Sequence, residues 1–130
     1  MLWMLNARIG KPNRRKIITR INGYHGVTLG ASSMTAKPYN KEFGLPSEEF
    51  IHIECPHYWK YGLKNETEEE FSLRMAKNLE EKIIKEDPET IAGFVAEPVQ
   101  GAGGCIPPSK SYFDLVQPIL KKYNLSLIHI

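Results

Sequence analysis

The sequence predicts an α/β fold built on a parallel sheet, and three observations carry that prediction. Apolar runs of strand length alternate along the chain with segments of helical periodicity. No hairpin turn dipeptide links one strand to the next, so each pair of strands needs a crossover. The run "TIAGFVAEP" is apolar without alternation, as suits a parallel strand covered on both faces.

Element by element, the chain opens on "MLWMLNARIGK", an amphipathic piece that closes at Gly10 and Pro12 and has no N-cap before it. It reads as the last turns of a longer helix. "KIITRI", residues 16–21, is β-branched and predicts a short strand that Asn22-Gly23 breaks. "YHGVTLGASSMT" follows, with small residues suited to close helix packing, up to the Lys37-Pro38 break. Residues 38–49, rich in Pro, Gly and charge, predict an irregular loop. "FIHIEC", residues 50–55, alternates as a half-buried strand does, and "PHYWKYGLKN" predicts an aromatic loop. Residues 67–85 carry the clearest helix. Glu68, Glu69 and Glu70 sit in its first turn, where the helix dipole favours negative charge, and Phe71, Met75, Leu79 and Ile83 recur every four residues. After the strand ending near Glu97 comes a glycine-rich loop, then a helix over residues 111–123 in which Pro118 predicts a kink or break. "NLSLIHI" starts another strand and halts within an apolar run, so the chain reads as a fragment.

Composition narrows the function classes. In 130 residues, 42% are hydrophobic and 25% charged, with a net charge of +2. That balance is ordinary for a soluble domain and too weakly basic to imply nucleic acid or an acidic membrane as partner. The basic cluster at residues 11–16 reads as a solvated loop. Two cysteines, Cys55 and Cys105, give no disulfide framework and suit a reducing compartment. No signal peptide or membrane-length apolar run is present, so the expected location is the cytoplasm or an organelle matrix.

Four features invite chemistry. His52, Cys55 and His57 form H-x-x-C-x-H, but a regular strand turns His52 and Cys55 to opposite faces and no fourth ligand lies nearby, so no metal site is expected. "GAGG" follows a strand and precedes a helix, yet it lacks the G-x-G-x-x-G spacing, and Pro107-Pro108 intervenes. Glu97 stands at the carboxyl end of a parallel strand, where open α/β sheets bind ligands. It either caps loop amides or faces a ligand. Tyr24 in Tyr24-His25-Gly26 either stacks on a planar ligand or packs at a turn.

Taken together, "GYHGVTLGASSMT", "ECPHYWKYGL", "ETEEEF", "FVAEPVQGAGGCIPP" and "YFDLVQPILKKYNL" resemble, in order and spacing, the class III aminotransferases. These are pyridoxal-phosphate enzymes of fold type I. The resemblance is nearest to the ω-amino-acid and amine:pyruvate group, which includes taurine, β-alanine, putrescine and plant-type γ-aminobutyrate transaminases. It implies that residues 1–125 are part of the large, cofactor-binding domain. It implies pyridoxal 5'-phosphate as cofactor, an amine or amino-acid donor, a keto-acid acceptor such as pyruvate, and a homodimer in the full-length protein. The cofactor-binding residues it implies are Tyr24, stacking on the pyridine ring; His25 and Gly26, shaping the pocket; Glu97, in the hydrogen-bond network around the ring; and Gln100, with Val99, lining the next loop.

The departures are equally specific. The family's Gly-Ser phosphate-binding turn, the aspartate that holds the pyridine nitrogen and the Schiff-base lysine have no counterpart in these residues. No catalytic residue is therefore assigned, and residues 126–130 are read as a non-native tail or a truncated strand. The expectation is a transaminase fragment, inactive as an isolated chain. The alternatives are a non-catalytic aminotransferase-like module and an unrelated α/β nucleotide binder.

Overall fold

Four strands, β1 (Lys16–Arg20), β2 (Phe50–Ile53), β3 (Ile91–Ala96) and β4 (Ser126–His129), lie side by side in the order β2-β1-β3-β4. Every neighbouring pair is parallel. The computed structural model describes residues 1–129, so of the segment 126–130 only Ile130 lies outside the described residues. Residues 126–129 pair with β3 from Gly93↔Ser126 to Ala96↔His129.

Strand alternation sorts the side chains into two layers. On one face Ile18, Ile51, Ile53, Phe94 and Ala96 join Phe71, Met75, Leu79 and Ile83 of α4 (Glu68–Lys85) and Tyr112, Val116 and Leu120 of α5 (Tyr112–Lys122) in one core. On the other face, α1 (Leu2–Arg8) and α2 (Leu29–Met34) cover the sheet partially. All six residues of β3 are buried, as its unbroken apolar sequence predicts for a central strand.

The four-residue stripe of α4 buries Phe71, Met75, Leu79 and Ile83 while Leu73 and Ile84 stay exposed. Its start is a full capping box: the Thr67 hydroxyl accepts from Glu70 N, and the Glu70 carboxylate accepts from Thr67 N at 2.8 Å. α5 continues past Pro118 as one helical element. The proline deprives only the Asp114 carbonyl of its partner, and that side of the helix is exposed to solvent. Two predicted loops contain helical turns. Residues Pro38–Phe43 form a 3-10 helix ended by left-handed Gly44, and α3 (Tyr58–Tyr61) makes one turn. The latter is fixed by Tyr58, whose ring meets Phe71 edge-on at 5.6 Å and whose hydroxyl donates to Glu66 O. The basic cluster also differs from a solvated loop. Arg14 is 4% exposed, donating to Asn124 O at 3.0 Å and to Glu89 at 2.6 Å, because its stem fills space between the first loop and the end of α5.

Truncating the stripe tests this packing. Leu79→Ala, at a fully buried position, is expected to cost about 2–5 kcal/mol in urea denaturation. Leu73→Ala, 59% exposed on the same helix, is expected to stay within about 0.5 kcal/mol of the parent.

Candidate functional site

Because all four strands run the same way, the loops after β1, β2 and β3 meet along one edge of the sheet, the edge where open α/β sheets bind ligands. Glu97, the first residue after β3, is 9% exposed at this edge. Its Oε1 accepts a hydrogen bond from the Tyr24 main-chain amide at 2.9 Å, and its Oε2 accepts one from the Gly101 amide at 2.9 Å. The carboxylate thus does cap loop amides, and the two amides belong to loops that follow different strands. Such charge-assisted bonds are roughly twice as strong as neutral ones. They hold "YHG" and "EPVQGAGG" against each other.

Tyr24 is anchored through its backbone, while its side chain remains on the surface at 41% exposure. His25 is half-buried. Its amide donates to Thr35 Oγ1 at 2.8 Å, and the same hydroxyl donates to Gly26 O at 3.3 Å. Burial pushes the His25 imidazole below its usual pKa; Glu97 opposes this, and the Arg20 and His52 charges add to it. The ring is therefore neutral at pH 7, and its Nδ1 is buried without a hydrogen-bond partner. Gly26 sits at φ +117°, in a conformation that L side chains rarely adopt, and a Cβ there would approach Ala31 Cβ to 3.1 Å.

Gln100 faces inward at 1% exposure. Its Nε2 donates to Ile21 O at 3.0 Å, its Oε1 accepts from Cys55 Sγ at 3.1 Å, and its main chain bridges Ile106 in both directions at 3.0 Å. One amide side chain thereby joins the ends of β1 and β2 to the glycine loop. Val99, beside it, is 51% exposed. The glycine loop presses directly on the turn after β1: a Cβ on Gly103 would lie 2.3 Å from Asn22 O. Only glycine permits that approach.

The H-x-x-C-x-H residues diverge. His52 Nε2 lies 3.3 Å from Met34 O under α2, whereas Cys55 points to Gln100 on the other side of the sheet edge. Burial raises the Cys55 thiol above its ordinary pKa and lowers His52 below its own. Among the described residues no three His, Cys, Asp or Glu side chains gather as metal ligands.

Arg20 and Thr35 are not among the candidates that sequence reasoning finds. Arg20 is 1% exposed, and its Nη2 donates to the Glu97 main-chain carbonyl. An arginine inside "KIITRI" reads as an outward strand residue, and only its even-numbered register with Ile18 signals the buried face.

Comparison with known proteins gives this edge a context. The family "Aminotransferase class-III" matches residues 2–129. Gamma aminobutyrate transaminase 1, mitochondrial, of Solanum lycopersicum is 53% identical over 129 residues, which are 98% of this chain and 25% of that protein. The structure of an omega-aminotransferase from Paracoccus denitrificans superposes with a TM-score of 0.96 at 58% identity, over 98% of this chain and 28% of that one. The PMP-bound form of an aminotransferase from Vibrio fluvialis gives a TM-score of 0.95 at 58% identity, again over 98% and 28%. The chain thus spans about a quarter of the length of the curated relatives it matches.

The two half-buried imidazoles make stability pH-dependent. His25 and His52 both have pKa values below the ordinary 6.5, chiefly through burial. The folded chain therefore holds them neutral while the unfolded chain takes up protons. Their stabilising contribution is complete above pH 6.5 and is lost as pH falls through the folded values. The urea midpoint should drop between about pH 7.5 and about pH 5, and His25→Gln/His52→Gln should flatten that slope.

Proposed function

Since the chain belongs to the class III aminotransferases, we propose that it supplies one wall of a pyridoxal 5'-phosphate site. The enzyme it serves moves an amino group from an amine or ω-amino acid to a keto acid such as pyruvate. The observation that carries this reading is the joining of Tyr24 and Glu97 by a hydrogen bond at the carboxyl edge of the sheet, with the Tyr24 side chain left on the surface. A planar aromatic cofactor fits that edge: Tyr24 offers an exposed flat ring, and Glu97 offers fixed acceptor oxygens. Once bound, pyridoxal phosphate supplies an electron sink for the amino-group transfer.

The chain's own residues would position and enclose that group. The Tyr24 ring would stack on the cofactor and limit its tilt. Each Glu97 oxygen accepts one amide and keeps further acceptor capacity for the ring's hydrogen-bond network. His25, neutral through burial, shapes the pocket and is assigned no proton transfer. Gly26 holds the bend behind Tyr24, and Gln100 braces the loop that carries Glu97 from its buried side. The Schiff-base lysine, the aspartate at the pyridine nitrogen and the phosphate turn belong to parts of the family pattern that these 130 residues do not include. We assign the full-length protein a homodimeric state and an aqueous compartment, cytoplasm or organelle matrix. Relatives are named as mitochondrial or chloroplastic, and no helix among the described residues is long and apolar enough to cross a membrane.

Two measurements test this reading. The 130-residue chain mixed with pyridoxal phosphate should show neither a strong bound-cofactor absorbance band nor amine-dependent pyruvate consumption, while the full-length protein shows both; robust turnover by the short chain would overturn it. In the full-length protein, Tyr24→Ala should remove about 0.5–1.5 kcal/mol of stacking. That corresponds to roughly 2- to 12-fold weaker cofactor binding, and Tyr24→Phe should bind nearly as the parent does.

A further inference from the structure

Arg20 is the largest fully buried side chain in the molecule's described part, and it is a cation. Burying a guanidinium is costly unless a carboxylate or several acceptors compensate it. Here no ion pair among the described residues includes Arg20. Its Nη2 donates to the Glu97 main-chain carbonyl, its Nη1 is buried without a hydrogen-bond partner, and the guanidinium also meets the neutral Tyr112 hydroxyl, its carbon lying 5.8 Å from the ring centroids of Tyr112 and Phe113. An apolar side chain would pack this volume at lower cost, so packing alone does not account for an arginine.

Its connections do. Arg20 is the last residue of β1, and its own carbonyl accepts from Gly23 N at 3.0 Å, closing the turn that delivers Tyr24. Its guanidinium reaches the residue whose carboxylate holds the Tyr24 amide. Glu97 is thereby held at three points: the main-chain oxygen by Arg20, Oε1 by Tyr24 and Oε2 by Gly101. Without the first, the carboxylate still has its amides, but the peptide behind it is free to shift. A shift there moves both loops together.

We propose that Arg20 is a positioning residue for the cofactor wall. It acts on the Glu97 peptide from behind and so sets the depth of the Glu97 carboxylate and the angle of the Tyr24 ring. This inference rests on the reading of that edge as a pyridoxal-phosphate wall. The charge is incidental to the role; reach and donation to one carbonyl are what matter. Lysine is one atom shorter than arginine, so its amine falls short of that carbonyl, and methionine cannot donate at all.

The experiment compares Arg20→Lys and Arg20→Met with the parent in the full-length protein. Cofactor affinity and the induced circular dichroism of bound pyridoxal phosphate are measured well below the melting temperature. In the cofactor-free protein, chymotryptic cleavage after Tyr24 is compared with cleavage after Tyr61, which lies on α3 and is similarly exposed. A graded series is expected: cofactor binding weakened several-fold in the lysine variant and at least about tenfold in the methionine variant. The induced signal should diminish in the same order, and cleavage after Tyr24 should rise relative to Tyr61. If the methionine variant does not fold, the lysine variant decides, because a parental affinity, signal and cleavage ratio in it would overturn the proposal. Parallel increases at Tyr24 and Tyr61 would also overturn it, since they mark a general loss of stability. A parent protein that binds no pyridoxal phosphate would sink the reading of the site, whereas a parent that binds it and variants that match the parent would sink only the role of Arg20.

Discussion

One carboxylate with a main-chain amide on each oxygen is the constraint on which this edge of the molecule depends. Glu97 accepts from Tyr24 N and from Gly101 N, and those amides belong to loops that follow two different strands. Neither loop has much regular structure to hold it: one contains left-handed Asn22 and Gly26, the other left-handed Gly104 and Cys105. Backbone conformations of this kind persist when neighbouring bonds over-determine them. The carboxylate, the Gln100 bridge and the Gly103 contact on Asn22 do that together.

The sheet below has a different logic at each end. Its middle is closed by apolar contacts between β1, β2, β3 and the two long helices α4 and α5. At the carboxyl edge the buried side chains become polar: Arg20, Glu97, Gln100 and Thr35 lie at or below 9% exposure. Each spends hydrogen bonds on main-chain groups of another segment, and Gln100 also meets Cys55 while Arg20 also meets the Tyr112 hydroxyl. Polar burial of this density is a poor way to gain stability and a good way to fix one arrangement. It leaves the Tyr24 side chain on the surface over a base held by hydrogen bonds.

Much of this is legible in the sequence. The stripe of α4, its acidic first turn and the unbroken apolar run of β3 are local patterns, and each appears within a residue or two of where it was expected. Glu97 and Tyr24 were legible as candidates because a carboxylate ending a buried strand, and an aromatic in a glycine turn, break local rules. Arg20, Gln100 and Arg14 were not legible in their actual roles. Each has a main-chain carbonyl partner 77 or more residues away, and a carbonyl has no letter in the sequence; Arg20 to Glu97 O spans 77 residues, Gln100 to Ile21 O spans 79 and Arg14 to Asn124 O spans 110. The turn of α3 was missed for the same reason, since Tyr58 is held by Phe71 and Glu66 beyond its own loop. Pro118 does not break α5, because the cost of a helical proline depends on whether the carbonyl it orphans can face solvent.

Amide hydrogen exchange at Tyr24 and Gly101, comparing the parent with Glu97→Ala, tests the central claim most directly. If one carboxylate ties the two loops, both amides are protected in the parent and both lose protection together in the variant. Phe94, inside β3, should keep its protection. Loss at one of the two amides alone, or unchanged exchange at both, would contradict the account.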